Sequence, residues 1–343
     1  MQPKVPEKNK KAGVCYAVTD DGIELPVIDV THPAFALQLS DSELDQFLQK
    51  QLQEMKEQQR VPAFLQRLFL RLMQRRSILM RGIAGSAGTF MSGLNTYLLK
   101  LGPDNLSDSY ASDIDRRIAA SLPALSARLR LQDIARFLAE GIIPALQANA
   151  KAAIHLLNIG GGPAIDSMNA LILLQKEEPE LLSGRRVIIH SLDLDDVGPR
   201  FGDRALHSLM EGGGPLHGLD IDFHHVKYDW SDASTLRRLV NSFDSSNGII
   251  VSASSEGALF EYGSDEEVES NLRVLHETTP ASSIVVGTVT RADDTGRLFN
   301  GASRAAVNLR GLEAFTALSL RAGWKVTNVL HRPISHDVLM QKV

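Results

Sequence analysis

The sequence predicts an α/β protein, a mostly parallel sheet behind a helical N-terminal region. Three observations carry this. From about residue 40 to 150 the apolar residues follow helical spacing, with few strand-like runs. After Lys151, short apolar runs alternate with helical stretches, the pattern of a parallel sheet with crossover helices. The last two runs, 324–331 and 335–342, are separated by only a few residues around Pro333. That spacing fits an antiparallel hairpin, because a parallel crossover needs a dozen or more residues.

The elements follow in order. Residues 1–12 carry Lys4, Lys8, Lys10 and Lys11 with no apolar core behind them, which reads as a solvated tail rather than a signal peptide. Residues 23–30 read as a short strand or extended arm. Ser40, Asp41 and Ser42 precede a capped helix start. Pro62 opens a helix through 75, with Arg67, Arg71 and Arg75 along its polar side as a solvated face or a basic wall. Gly82, Gly85, Gly88 and Gly93 loosen the next segment, and Gly102-Pro103-Asp104 ends it. Helices are expected near 113–127 and 131–150. Strands are expected near 154–159, 186–193, 222–228, 247–252 and 282–288, then the hairpin. The domain reading is a helical cap or dimerisation region over 1–128 and a ligand-binding α/β domain over 129–343.

Bulk properties exclude several classes. A net charge of −5 offers no overall basic field for nucleic acid or an anionic membrane. No apolar run approaches the ~20 residues that span a bilayer. The single cysteine, Cys15, forms no internal disulfide framework, which points to the cytoplasm. The doubled His224-His225 has no spaced third ligand, so no metal site is expected. As strand residues the two point to opposite faces.

The stretch that carries chemistry is His155-Leu156-Leu157-Asn158-Ile159-Gly160-Gly161-Gly162-Pro163. An apolar strand breaks into glycines and a helix follows, so a ligand can touch bare backbone at a helix N-terminus. Gly160 and Gly162 fill two positions of the dinucleotide fingerprint, but Ile165 stands where its third glycine belongs. Read instead as Asn158-x-Gly160-x-Gly162, the turn resembles motif I of the class I S-adenosylmethionine-dependent methyltransferases. An acid usually stands first in that motif. Asn158 can bond a ligand amine but cannot pair with its charge.

The resemblance extends over roughly 130–343, and the fold it implies is a Rossmann-like seven-stranded sheet with a terminal antiparallel hairpin. Gly160, Gly161, Gly162 and Pro163 would seat the methionine part of S-adenosylmethionine. Asp193, preferred to Asp195, would accept the ribose hydroxyls. Asp229 would meet the adenine amino group, and Trp230 would stack on the ring. The fourth strand supplies Ser252 and Ser254 on the cofactor side. Beyond it Glu256, Glu261 and Tyr262 are the catalytic candidates, with Glu256 as general base. Tyr97, Tyr110, Arg81 and Arg116 are the cap's candidates for reaching the pocket, and His331 and His336 are further available groups. The expected activity is transfer of a methyl group to a small molecule, with oxygen or carbon as acceptor atom, and a homodimer through the N-terminal region. Three alternatives stay open: a nicotinamide-dependent oxidoreductase, a catalytically silent scaffold, and alkyl transfer of the polyamine-synthesis type.

Overall fold

A computed structural model describes residues 4–58, 73–85, 91–303 and 307–343. The chain begins with a two-stranded antiparallel ribbon, β1 (Tyr16–Val18) and β2 (Glu24–Pro26). The arm expected over 23–30 therefore pairs only through Pro26, and its partner strand was not foreseen. Among the described residues the helices α1 (Asp41–Gln58), α2 (Ile78–Gly85), α3 (Gly93–Lys100) and α4 (Asp113–Ala119) follow. Most of the 62–75 helix, with Arg67 and Arg71, lies outside the described residues, as does Gly88.

Two helices were expected over 113–127 and 131–150, but the break falls earlier. α4 is short, closed at its start by a Ser112–Asp115 capping box. The second helix, α5 (Leu122–Ala148), is one unbroken element. Pro123 suits a first turn, and the Ala-Arg-Leu-Arg-Leu stretch of 127–131 contains only good helix formers. The chain thus passes positions 128 and 129 inside a continuous helix.

The α/β unit continues β3 (Ala153–Ile159), α6 (Ile165–Glu177), β4 (Arg186–Asp193), α7 (Val197–Met210), β5 (Asp220–Lys227), α8 (Ser234–Asn241) and β6 (Ile249–Ser255). Next come α9 (Leu259–Tyr262), α10 (Asp265–Thr278), β7 (Ile284–Thr290), α11 (Asp294–Ser303), α12 (Leu312–Arg321), β8 (Trp324–His331) and β9 (Ser335–Lys342). The seven strands lie in the order β5-β4-β3-β6-β7-β9-β8. β3 to β7 are parallel, and β9 and β8 run antiparallel to their neighbours. The fold class read from the sequence is the one observed.

Alternating strand residues feed two cores. Ile154 and Leu156 face α5 and α6, where Leu131, Ile134, Leu138 and Ile142 form the helix's apolar stripe. Leu157 and Ile159 face the other side, against Leu236, Leu272, Phe315 and the fully buried Trp324. The chain order steps outward from β3 to β5, then returns to β6 on the other side of β3. The crevice for a ligand in such a sheet lies at this reversal, beyond the carboxyl ends of β3 and β6.

Midway along the strands a histidine ladder crosses β3, β4 and β5. His155 Nδ1 lies 3.0 Å from His190 Nε2, His190 stacks on His224, and Phe243 covers both buried rings. Burial, with like charge from Arg186 and His224, lowers His155 to about 4. Burial beside His155 and His224 lowers His190 to about 3. The unfolded chain protonates these rings near pH 6.5, and the fold refuses the protons until far lower pH. Stability is therefore full above pH 6.5 and falls on acidification, by about 1.4 kcal/mol per histidine per pH unit. Urea unfolding at pH 7 and pH 5 should show this loss, and His190→Leu should flatten it. An equal pH slope in the variant would contradict the assignment.

Candidate functional site

The crevice holds a cleft lined by the turn after β3, the ends of β4 and β5, the loop after β6 and the cap helix α3. Its base is the glycine turn. Gly160 and Gly162 have φ of +65° and +49°, and Ala164 follows in the same left-handed region before α6 begins. A Cβ on Gly160 would lie 2.5 Å from Ala258 Cβ and 3.1 Å from the Trp230 ring, so only glycine fits there. The strand beside it fixes the turn. Gly160 N–H donates to the Leu192 carbonyl at 2.7 Å, Ser191 Oγ donates to the Gly162 carbonyl at 2.7 Å, and Gly162 N–H donates to Asp193 Oδ2 at 2.8 Å.

The structure brings together Gly160, Gly161, Gly162, Pro163, Asp193, Trp230, Glu256 and Tyr262 from the residues the sequence singled out. Asp193 keeps the turn in shape, accepting from both Gly162 and Asp195 N–H groups. Burial raises its carboxyl against these donors. Asp195, passed over in the sequence reading, also lines the cleft, and its Oδ2 is buried with no hydrogen-bond partner.

Five expected site residues do not line the cleft. Asn158 is fully buried and spent inside the protein: its Nδ2 donates to Asp166 Oδ1 at 2.6 Å and Ser254 Oγ at 2.7 Å, and its Oδ1 accepts from Ser167 Oγ at 2.8 Å. Ser254 is thereby committed to Asn158, and Ser252 is buried within the sheet. Asp229 is exposed, its carboxylate accepting from Ser231 N–H at 3.0 Å, so Tyr228 and Trp230 on either side of it reach the cleft instead. Glu261 is buried behind the wall. Of the cap candidates, Tyr97 lines the cleft, but its hydroxyl donates to the Pro26 carbonyl at 2.7 Å. Tyr110 bonds the Asn105 carbonyl, Arg116 bonds the Leu106 carbonyl, and Arg81 is exposed. His331 and His336 contact each other on the closing hairpin. His224 and His225 diverge as expected, the first toward His190 and the second toward the Asp193 carbonyl.

What the sequence did not reveal is a buried ionic chain behind the cleft. Lys100, at the last turn of α3, pairs with Glu256. Arg130 of α5 lies 2.5 Å from the other Glu256 oxygen and 3.2 Å from Glu261. Glu261 also accepts from Thr288 Oγ1 at 3.2 Å. Burial pushes the Glu261 carboxyl up, and Arg130 opposes it. Glu256, the expected general base, and Glu261, the other carboxylate among the catalytic candidates, are thus held by cations. Part of the signal for this chain was present: Lys100 interrupts the apolar run Tyr97-Leu98-Leu99 and Leu101.

The cap meets the turn backbone to backbone. A Cβ on Gly93 would lie 2.7 Å from Gly162 Cα, and one on Gly162 would lie 2.8 Å from Gly93 Cα. Ser92 caps α3 at this contact.

No protein-family model and no curated protein matches the sequence. Among solved structures, a possible exported protein from Bordetella parapertussis is similar over 89% of this chain and 97% of its own, with TM-score 0.54 and 17% identity. LepI in complex with SAM aligns over 89% of this chain and 95% of its own, with TM-score 0.44 and 11% identity. The O-methyltransferase NcsB1 from neocarzinostatin biosynthesis aligns over 55% and 49%, with TM-score 0.35 and 16% identity. Five parallel strands reversing at β3 and β6, with an antiparallel hairpin inserted at one edge, settle the architecture. This is the class I methyltransferase fold. In that fold the turn after the first parallel strand, here 160–163, faces the ligand crevice.

Proposed function

We propose that the protein binds S-adenosylmethionine in the cleft beside the glycine turn and transfers its methyl group to a small molecule. The charge of the cleft carries this reading. Asp166, Asp193, Asp195 and Glu256 line it, against Lys100 as the single basic lining residue among those described. Such a site favours a ligand with excess positive charge and repels a pyrophosphate. S-adenosylmethionine carries a sulfonium and an ammonium against one carboxylate, whereas a nicotinamide dinucleotide is anionic. The residues present fit the group. The backbone of 160–162 approaches closely, Asp195 Oδ2 is free for a ribose hydroxyl, and Trp230 and Tyr228 offer apolar rings at the β5 end. The expected roles of Asp193 in ribose binding and Trp230 in stacking belong to this reading.

When bound, the sulfonium supplies an activated methyl group. The protein's part is to orient the acceptor and exclude water. The N-terminal region serves as the cap through α3, which lines the cleft, and Tyr262 borders the side where the acceptor would enter. With Glu256 and Glu261 held by Lys100 and Arg130, their role is to anchor the wall. We infer that the acceptor is a hydroxyl acidic enough to need no carboxylate base.

Thermal unfolding with saturating S-adenosylhomocysteine, S-adenosylmethionine or NAD tests the proposal. A ligand at a hundred times its Kd adds about 2.7 kcal/mol of stability. The first two are expected to raise the Tm and NAD to leave it unchanged. Stabilisation by NAD alone would sink the reading.

A further inference from the structure

The buried amide of Asn158 leaves open which group would meet the ammonium of an amino-acid ligand at this turn. Asp166, in the first turn of α6, lines the cleft and is 4% exposed. Its Oδ1 accepts from Asn158 Nδ2 at 2.6 Å. Further hydrogen bonds come from the Ser254 side chain and the Ser167 backbone. Every one of these partners is neutral. Among the described residues no lysine, arginine or histidine forms an ion pair with Asp166, and Lys100, a cation whose charge acts on it, is bound to Glu256. A buried carboxylate with neutral donors and no counter-ion is costly unless a cation arrives to pair with it. Burial accordingly raises the Asp166 carboxyl.

We propose that Asp166 is the residue that receives the ligand's ammonium group, and that Asn158 is a positioning residue that aims it. This rests on the methyl-donor reading given above. The arrangement places the acid one helical turn beyond the glycines instead of at the strand end, with the strand-end amide holding it in place. Asn158 holds one oxygen of the carboxyl, Ser254 and Ser167 in turn hold Asn158, and the carboxyl borders the cleft.

Calorimetry on the full chain separates the possibilities. Two probes are used: S-adenosylhomocysteine, and 5′-methylthioadenosine, which keeps the adenosine and thioether but lacks the amino-acid part. Asp166→Asn is expected to weaken S-adenosylhomocysteine about tenfold or more and to leave methylthioadenosine unchanged. Asn158→Ala is expected to give a smaller loss of the same selectivity. Equal binding of S-adenosylhomocysteine by wild type and Asp166→Asn would overturn the assignment, as would equal weakening of both probes. Should Asp166→Asn fail to fold, the deaminated analogue of S-adenosylhomocysteine answers on the wild type. It should bind about tenfold or more weakly, and equal affinity would overturn the proposal. Wild type that binds neither probe would instead remove the methyl-donor reading, and this assignment with it.

Discussion

Glu256→Ala is expected to destabilise the protein by about 3–5 kcal/mol, because it strands Lys100 and removes one of the two partners of Arg130. Lys100 is 7% exposed and pairs with Glu256. Arg130 retains Glu261 but loses its other partner. The loss should fall most heavily on the cap, since Lys100 ties α3 to the loop after β6. Urea unfolding of wild type and variant measures the difference, and a change under about 1 kcal/mol would show that the ion pair is not what seats α3. The double variant Lys100→Met with Glu256→Met is expected to be far milder. It removes both desolvation costs and leaves apolar chains of similar size, with Arg130 still paired to Glu261.

Gly162→Ala is the second large effect. Gly162 has φ of +49°, where a side chain costs about 1–2 kcal/mol. Its new Cβ would sit 2.8 Å from Gly93 Cα, and a backbone atom has no rotamer by which to retreat. Overpacking of this kind costs about 1–3 kcal/mol. The sum, about 2–5 kcal/mol, should appear as a lowered urea midpoint together with weakened S-adenosylhomocysteine binding. Unchanged stability and affinity would mean that α3 does not rest on the turn in solution.

The sheet was legible because its strands are short apolar runs between turn residues, and the hairpin because Pro333 lies in a link too short for a crossover. Gly160 and Gly162 were legible because backbone approach demands glycine. Side-chain commitments were not. Asn158, Ser254 and Asp166 lie on three different elements, and nothing local shows that they bond one another. Glu256 reads as a base from its place after β6, yet its cations come from Lys100 and Arg130, which lie far from it in the sequence. The contrast between Asp229 and Asp195 has the same origin. Each is an acid after a strand, and only the loop's path decides which one faces the cleft.

The contact between Gly93 and Gly162 carries a thermodynamic consequence. A ligand that lies against the Gly162 backbone must share or displace the space that α3 now fills. Occupation of the turn and departure of the cap helix then become one linked equilibrium. The measured affinity is the intrinsic affinity scaled by the fraction of molecules whose cap stands open, so a cap open roughly one time in a hundred weakens binding about a hundredfold. On the proposed reading, this linkage makes the packing of two facing glycines one determinant of the ligand concentration needed for binding.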